Sequence, residues 1–183
     1  TINTPSMLVI EDAIDTLSWA EGLGGAKGLI DRVDESFDHY RAWLDRTPYF
    51  APLAVDPATI SPTALCLVVT DGWFGAQEDA VQKALVKDML ARLEEEGVAV
   101  DINAYRDAPT GLRIWGGPTV DPADIERLLP WVDWAYEAAR AHHQQAAARP
   151  PPKIADDASR QEGRYRAKGS YQRQAQPAGC GYF

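Results

Sequence analysis

The chain has 183 residues and a mass of 20.1 kDa, room for one domain with a real core, or one domain and a tail. Hydrophobic residues make up 45% and charged residues 25%, the composition of an ordinary soluble globular chain. No apolar run approaches the roughly 18 residues that span a membrane, and no basic stretch leads into an apolar one as in a signal peptide.

The net charge of −9 is unevenly spread. Residues 1–143 carry 11 Lys+Arg against 24 Asp+Glu, net −13, and residues 144–183 carry 7 against 3, net +4. An acidic body argues against a nucleic-acid-binding domain. The division suggests a body over 1–143 and a Pro-rich basic tail over 144–183. Two cysteines, Cys66 and Cys180, cannot form a disulfide framework or hold a structural zinc alone. Cys66, in an apolar run, reads as a small core hydrophobe. The sequence opens on Thr1 rather than Met, so further chemistry is expected upstream.

In chain order, residues 7–20 read as a helix, with Leu8, Ala13, Ile14 and Leu17 as its apolar stripe and Ser6 as its N-cap. Gly22, Gly24, Gly25 and Gly28 mark a break with a tight turn or a close backbone approach. A second helix follows over about 26–45, its stripe being Leu29, Val33, Phe37, Tyr40 and Leu44. Pro48, Pro52 and Pro57 then suggest an extended linker. Residues 64–70 (ALCLVVT) read as a buried strand. A third helix over 78–96 spaces Val81, Leu85, Met89 and Leu93 by four, with Gly97 at its end. Residues 98–104 (VAVDINA) alternate as a half-buried strand does, and 111–115 (GLRIW) form the next. Asp121 caps a fourth helix with Pro122 at its first position and Ile125, Leu128, Leu129, Val132 and Ala135 on its apolar face. The body therefore reads α-α-β-α-β-β-α, an α+β domain with helices packed on a short antiparallel sheet. Beyond about residue 144 the pattern collapses into a polyproline-like linker and a polar tail, which would gain order only against a protein partner, its own body or a second copy of the chain.

Self-sufficient catalytic motifs are absent: no P-loop, GxGxxG, GxSxG, HExxH or EF-hand loop. Adjacent His142 and His143 leave a helix about 100° apart and are poor joint ligands, so no metal is expected. Two segments could carry chemistry. Residues 3–7 (NTPSM) precede a helix start, a natural anion site, though a plain N-cap is the simpler explanation of them. In 105–115 (YRDAPTGLRIW), Arg113 points away from Leu112 and Ile114 and calls for a carboxylate. That carboxylate is either an internal acid or a substrate group.

The stretch TINTPSMLVIEDAIDTLSWAEGLGG resembles the segment just after the catalytic lysine of phosphoserine aminotransferase. EEEGVAVDINAYRDAPTGLRIWGGPTV and DIERLLPWVDWAYEAA resemble the end of that enzyme in its alphaproteobacterial-type form. The resemblance spans about residues 1–141. It implies the small C-terminal domain of a type I pyridoxal-phosphate transferase, working as a cytoplasmic homodimer (or an organellar one after presequence removal). The family moves an amino group between glutamate and 3-phosphohydroxypyruvate in serine biosynthesis. Residue by residue, Asn3 and Thr4 match groups that reach the neighbouring subunit's cofactor phosphate. Arg113 matches the arginine that grips the substrate α-carboxylate, and Arg106 is a weaker candidate for the substrate's phosphate end. No catalytic residue is carried over, because none of Lys27, Lys83, Lys87, Lys153 and Lys168 stands in the family's lysine context. Ile60 stands where an arginine is expected, and Gly116 where relatives often have Cys. An alternative reading is a non-catalytic accessory subunit derived from this domain and anchored by its tail, in which a structural ion pair would retain Arg113.

Overall fold

The computed structural model describes residues 6–148; Asn3, Thr4 and the tail from residue 149 onward lie outside the described residues. Two helices open the fold, α1 (Met7–Gly22) and α2 (Gly25–Leu44). Between them the chain turns through left-handed glycines, Gly24 at φ 96° and Gly25 at φ 68°, a region other residues enter only at a cost. Gly28 is required for a second reason: a Cβ there would sit 1.7 Å from the Leu23 carbonyl oxygen. The glycine cluster thus makes both the turn and the close approach that its composition predicts.

α2 buries Val33 and Tyr40 of the expected stripe and, beside them, Ser36 and Trp43, while Phe37 and Leu44 are only partly buried. α1 does not behave alike. Its apolar residues are there, but none is buried, and Met7, Leu8, Val9, Ile14 and Leu17 are all exposed. Ser6 stands at its N-cap without a side-chain hydrogen bond.

The sheet has three antiparallel strands in the order β1 (Phe50–Pro52), β2 (Ala64–Val69), β3 (Gly111–Trp115). Strand β1 falls where the prolines suggest a linker. It is an edge strand ending at Pro52, where a missing N–H does least harm. In β2, Leu65 and Leu67 are buried and Cys66 is half-buried on the other face. Cys66 therefore does not join the core. β2 and β3 pair with Leu65 opposite Ile114 and Cys66 opposite Arg113. Gly111 makes this pairing possible, because a Cβ there would lie 2.0 Å from the Leu67 carbonyl oxygen.

A single-turn helix, α3 (Gly72–Gly75), is capped by the Asp71 side chain. Helix α4 (Asp79–Glu95) buries Leu85, Val86, Met89 and Leu93. It ends at Gly97 (φ 67°), with Val98 N–H reaching back to Leu93 O at 2.9 Å, the six-to-one bond of a Schellman stop. The strand expected over 98–104 is not formed. Val100 is exposed, Asp101 turns left-handed at φ 55°, and a single bridge joins Asn103 to Leu112. The alternation is real, but that turn breaks the run before a ladder can grow.

Helix α5 (Pro122–Ala148) starts as predicted, with the Asp121 carboxylate accepting from Ala123 N–H at 2.9 Å. It buries Ile125, Leu129, Val132, Ala135, Tyr136 and Ala139 against the sheet, α2 and α4. Asp71 fastens α5 to the end of β2, accepting from Tyr136 Oη at 2.6 Å and pairing with Arg140 at 3.2 Å. Burial first, and the Asp71 acceptor second, push the Tyr136 phenol far above its ordinary value, so it stays a donor.

Candidate substrate-carboxylate site

Arg113 occupies the middle of β3, on the face opposite buried Leu112 and Ile114. Three features hold it. Its strand is paired to β2 through Cys66. Its backbone N–H donates to Ile102 O at 2.8 Å, which ties down the preceding loop. Its guanidinium lies 4.6 Å from the centre of the Tyr105 ring, a cation–π contact of about 0.5–1 kcal/mol at such sites.

What Arg113 lacks is a carboxylate. Among the described residues it makes no ion pair, and its Nε is buried without a hydrogen-bond partner. An unmet buried donor costs about 1–3 kcal/mol, more if charged. Arg113 lines a recess of about 500 Å³ with Asp101, Trp115, Val120 and Asp124, yet neither aspartate pairs with it. The internal partner that would explain Arg113 structurally is not there, and the guanidinium remains available to a planar anion.

Arg106 is exposed in the turn before β3. It lines a different recess, of about 420 Å³, with Lys83, Lys87, Tyr105 and Thr110. Tyr105 links the two arginines, lining the Arg106 recess while its ring carries Arg113. Sequence reasoning passed over Tyr105; the only signal was an aromatic residue close before the arginine. Asn3 and Thr4 lie outside the described residues, so their side of the site has no geometry here.

A further recess, of about 520 Å³, lies between the end of α2 and α5. Several of its polar groups are already matched to one another. Asp133 accepts from Trp43 Nε1 at 2.8 Å and Thr47 Oγ1 at 2.6 Å, and Glu137 accepts from Tyr49 Oη at 2.7 Å. That is a structural joint rather than a ligand site.

The two histidines converge, contrary to the expectation from helix geometry. Asp88 on α4 lies 2.8 Å from His142 Nδ1 and 3.8 Å from His143 Nε2. The nitrogen near Cβ on one ring and the far nitrogen on the other compensate for the diverging side chains.

Searched against family models, the chain matches none. The fold is similar to one segment of a solved aminotransferase. It superposes on phosphoserine aminotransferase from Bacillus circulans subsp. alkalophilus with a TM-score of 0.61 at 20% identity, covering 74% of this chain and 34% of that one. By sequence, the chain is a relative of phosphoserine aminotransferase. It is 40% identical over 140 residues to the protein of that name from Methanosarcina mazei, and 39% identical to that from Methanosarcina barkeri. The Nocardioides protein is 33% identical over 138 residues. The match takes in 76% of this chain but only 35% of the Methanosarcina proteins, so the chain spans about a third of the length of these relatives.

Proposed function

We propose that this chain is the C-terminal part of a phosphoserine aminotransferase and that Arg113 is its grip on the substrate α-carboxylate. The observation that carries the reading is the unpaired, partly buried guanidinium on the open face of β3. A bidentate arginine–carboxylate pair fixes both position and plane of a small substrate. The ladder to β2, the Ile102 carbonyl and the Tyr105 ring keep that fork oriented before the substrate arrives, so little orientational freedom is lost on binding. Arg106, with Lys83 and Lys87 beside it, supplies positive charge for the substrate's phosphate end. In the whole protein the reaction is amino transfer between glutamate and 3-phosphohydroxypyruvate, performed by a homodimer.

Pyridoxal phosphate would supply an electron sink for the carbon that loses its proton. Asn3 and Thr4, matched to the partner's cofactor phosphate, stand just before α1. The contribution of residues 6–148 is to bind and orient. The accessory-subunit reading loses ground, because it needs Arg113 to be retained for an ion pair that the described residues do not make.

The test uses the longer protein that contains this segment. Arg113→Ala should lower kcat/KM for phosphohydroxypyruvate by about 2–4 kcal/mol, roughly 30- to 1,000-fold. Arg113→Lys should recover only part of that loss, because an ammonium cannot form the bidentate fork. Unchanged turnover in Arg113→Ala would show the assignment to be wrong.

A further inference from the structure

We propose that Asp88, His142 and His143 form a binding site for one divalent transition-metal ion of the zinc class, joining α4 to the end of α5. The site is separate from the Arg113 recess and does not depend on the transaminase reading. Its three candidate donor atoms, a carboxylate oxygen and two imidazole nitrogens, all lie within 4.8 Å of one another. Two nitrogens and one oxygen are the donor set that zinc, nickel, cobalt and copper share.

The two Asp88–histidine pairs need little adjustment, and the two ring nitrogens start within 4.8 Å of each other. Ligands about 2.0–2.1 Å from a tetrahedral zinc stand roughly 3.4 Å apart. Asp88 Oδ2 is 2.8 Å from His142 Nδ1 and 3.8 Å from His143 Nε2. One pair opens by roughly half an ångström and the other closes by about as much, within the reach of small side-chain rotations. Binding an ion at Oδ2 replaces the Asp88–His142 hydrogen bond by two metal bonds, and Oδ2 keeps a second contact, the donation from Arg92 Nη2 at 3.3 Å. Arg92, whose Nε also lies 3.2 Å from Oδ1, orients the carboxylate as outer-shell partners of metal-binding carboxylates ordinarily do. His142 is mostly exposed, whereas Asp88 and His143 are about four-fifths covered. The ion can enter from solvent and keep water in its fourth position.

The donors come from residues far apart in sequence on two helices, so the ion would also act as a clip. It should bind the folded chain in preference to the unfolded one and raise the melting temperature with metal concentration.

The experiment takes the 183-residue chain, stripped with a chelator, and titrates it with Zn²⁺ alone at neutral pH by calorimetry. Co²⁺ absorption in the visible reports geometry. The expected result is one ion per chain, intense cobalt bands of a four-coordinate site, and a metal-dependent rise in melting temperature. His143→Ala and Asp88→Asn should each weaken binding at least tenfold and abolish the cobalt bands. His39→Ala and Cys180→Ser, which remove the remaining histidine and a remaining thiol, should leave the affinity unchanged. Equal Zn²⁺ affinity in the intact chain and His143→Ala would overturn the site, as would loss of binding in either control. Absence of saturable binding would overturn it as well. Should Asp88→Asn fail to fold, His143→Ala carries the test, since it removes a partly exposed ring from the last turns of α5.

Discussion

Asp133 is the most exacting place to test the packing of α5 on α2. Its two oxygens accept separately from Trp43 Nε1 and Thr47 Oγ1. The 2.6 Å bond to Thr47 is short, as expected for a hydroxyl donating to a carboxylate. Replacing Asp133 by Ala deletes both acceptors and leaves the indole N–H of Trp43, only 4% exposed, without a partner. Each lost hydrogen bond to a charged group is worth about 1.5–3 kcal/mol. Asp133 borders an open recess, however, and water entering it offsets part of the loss. Two such bonds come to about 3–6 kcal/mol, which that hydration reduces to about 2–3 kcal/mol in all. For a unit of this size that lowers the melting temperature by roughly 5–10 °C. The assay is urea unfolding followed by tryptophan fluorescence, with Trp43→Phe and the double variant completing a cycle. The two substitutions should couple by about 1 kcal/mol, with an unchanged denaturant slope. A cost below about 0.5 kcal/mol for Asp133→Ala, or strict additivity in the cycle, would mean that solvent serves the indole as well as the carboxylate does.

Two further outcomes follow from the same geometry. Gly111→Ala places a methyl group 2.0 Å from the Leu67 carbonyl oxygen, so β2 and β3 must part. The loss should be about 3 kcal/mol or more, read by thermal unfolding; a melting temperature within a degree of the parent, on the scale used above, would contradict the close approach. In metal-free buffer, burial works to raise the Asp88 carboxyl, but hydrogen bonds from His142 and Arg92 outweigh it and hold it below the usual carboxylate range. A carboxyl depressed by folding adds stability that is complete above its unfolded value and disappears as pH falls through its folded one. Urea midpoints taken from about pH 5 down to about pH 3 should therefore decline less steeply in Asp88→Asn than in the parent, and parallel curves would rule out the linkage.

Much of this fold is legible in the sequence where side-chain period and chain chemistry agree. The four-residue spacing of Leu85, Met89 and Leu93 and the Asp121-Pro122 start of α5 lead directly to the observed helices. Agreement fails where one backbone angle overrules a pattern. The alternation over 98–104 is sound as a period, but Asp101 sits at positive φ and the ladder cannot continue through it. Strand β1 was obscured because proline counts against strands in general and only tertiary position reveals an edge. For the site, Arg113 was identifiable from its alternation with Leu112 and Ile114. Its lack of an acid partner was not, because that depends on where Asp101 and Asp124 come to rest. The meeting of Asp88 with the two histidines had no local signal at all, since α4 and α5 lie 54 positions apart at that contact.

Helix α1 presents Met7, Leu8, Val9, Ile14 and Leu17 to water and buries nothing. A single helix of 16 residues is close to the length at which isolated helices are only marginally formed. Its winding is therefore subsidised from outside its own sequence. Among the described residues its main neighbour is α2. The amides of α1 should accordingly exchange with solvent by local fraying, long before the sheet and α4 surrender theirs, so the thermodynamic edge of the cooperative body falls at the Gly24–Gly25 turn rather than at Ser6.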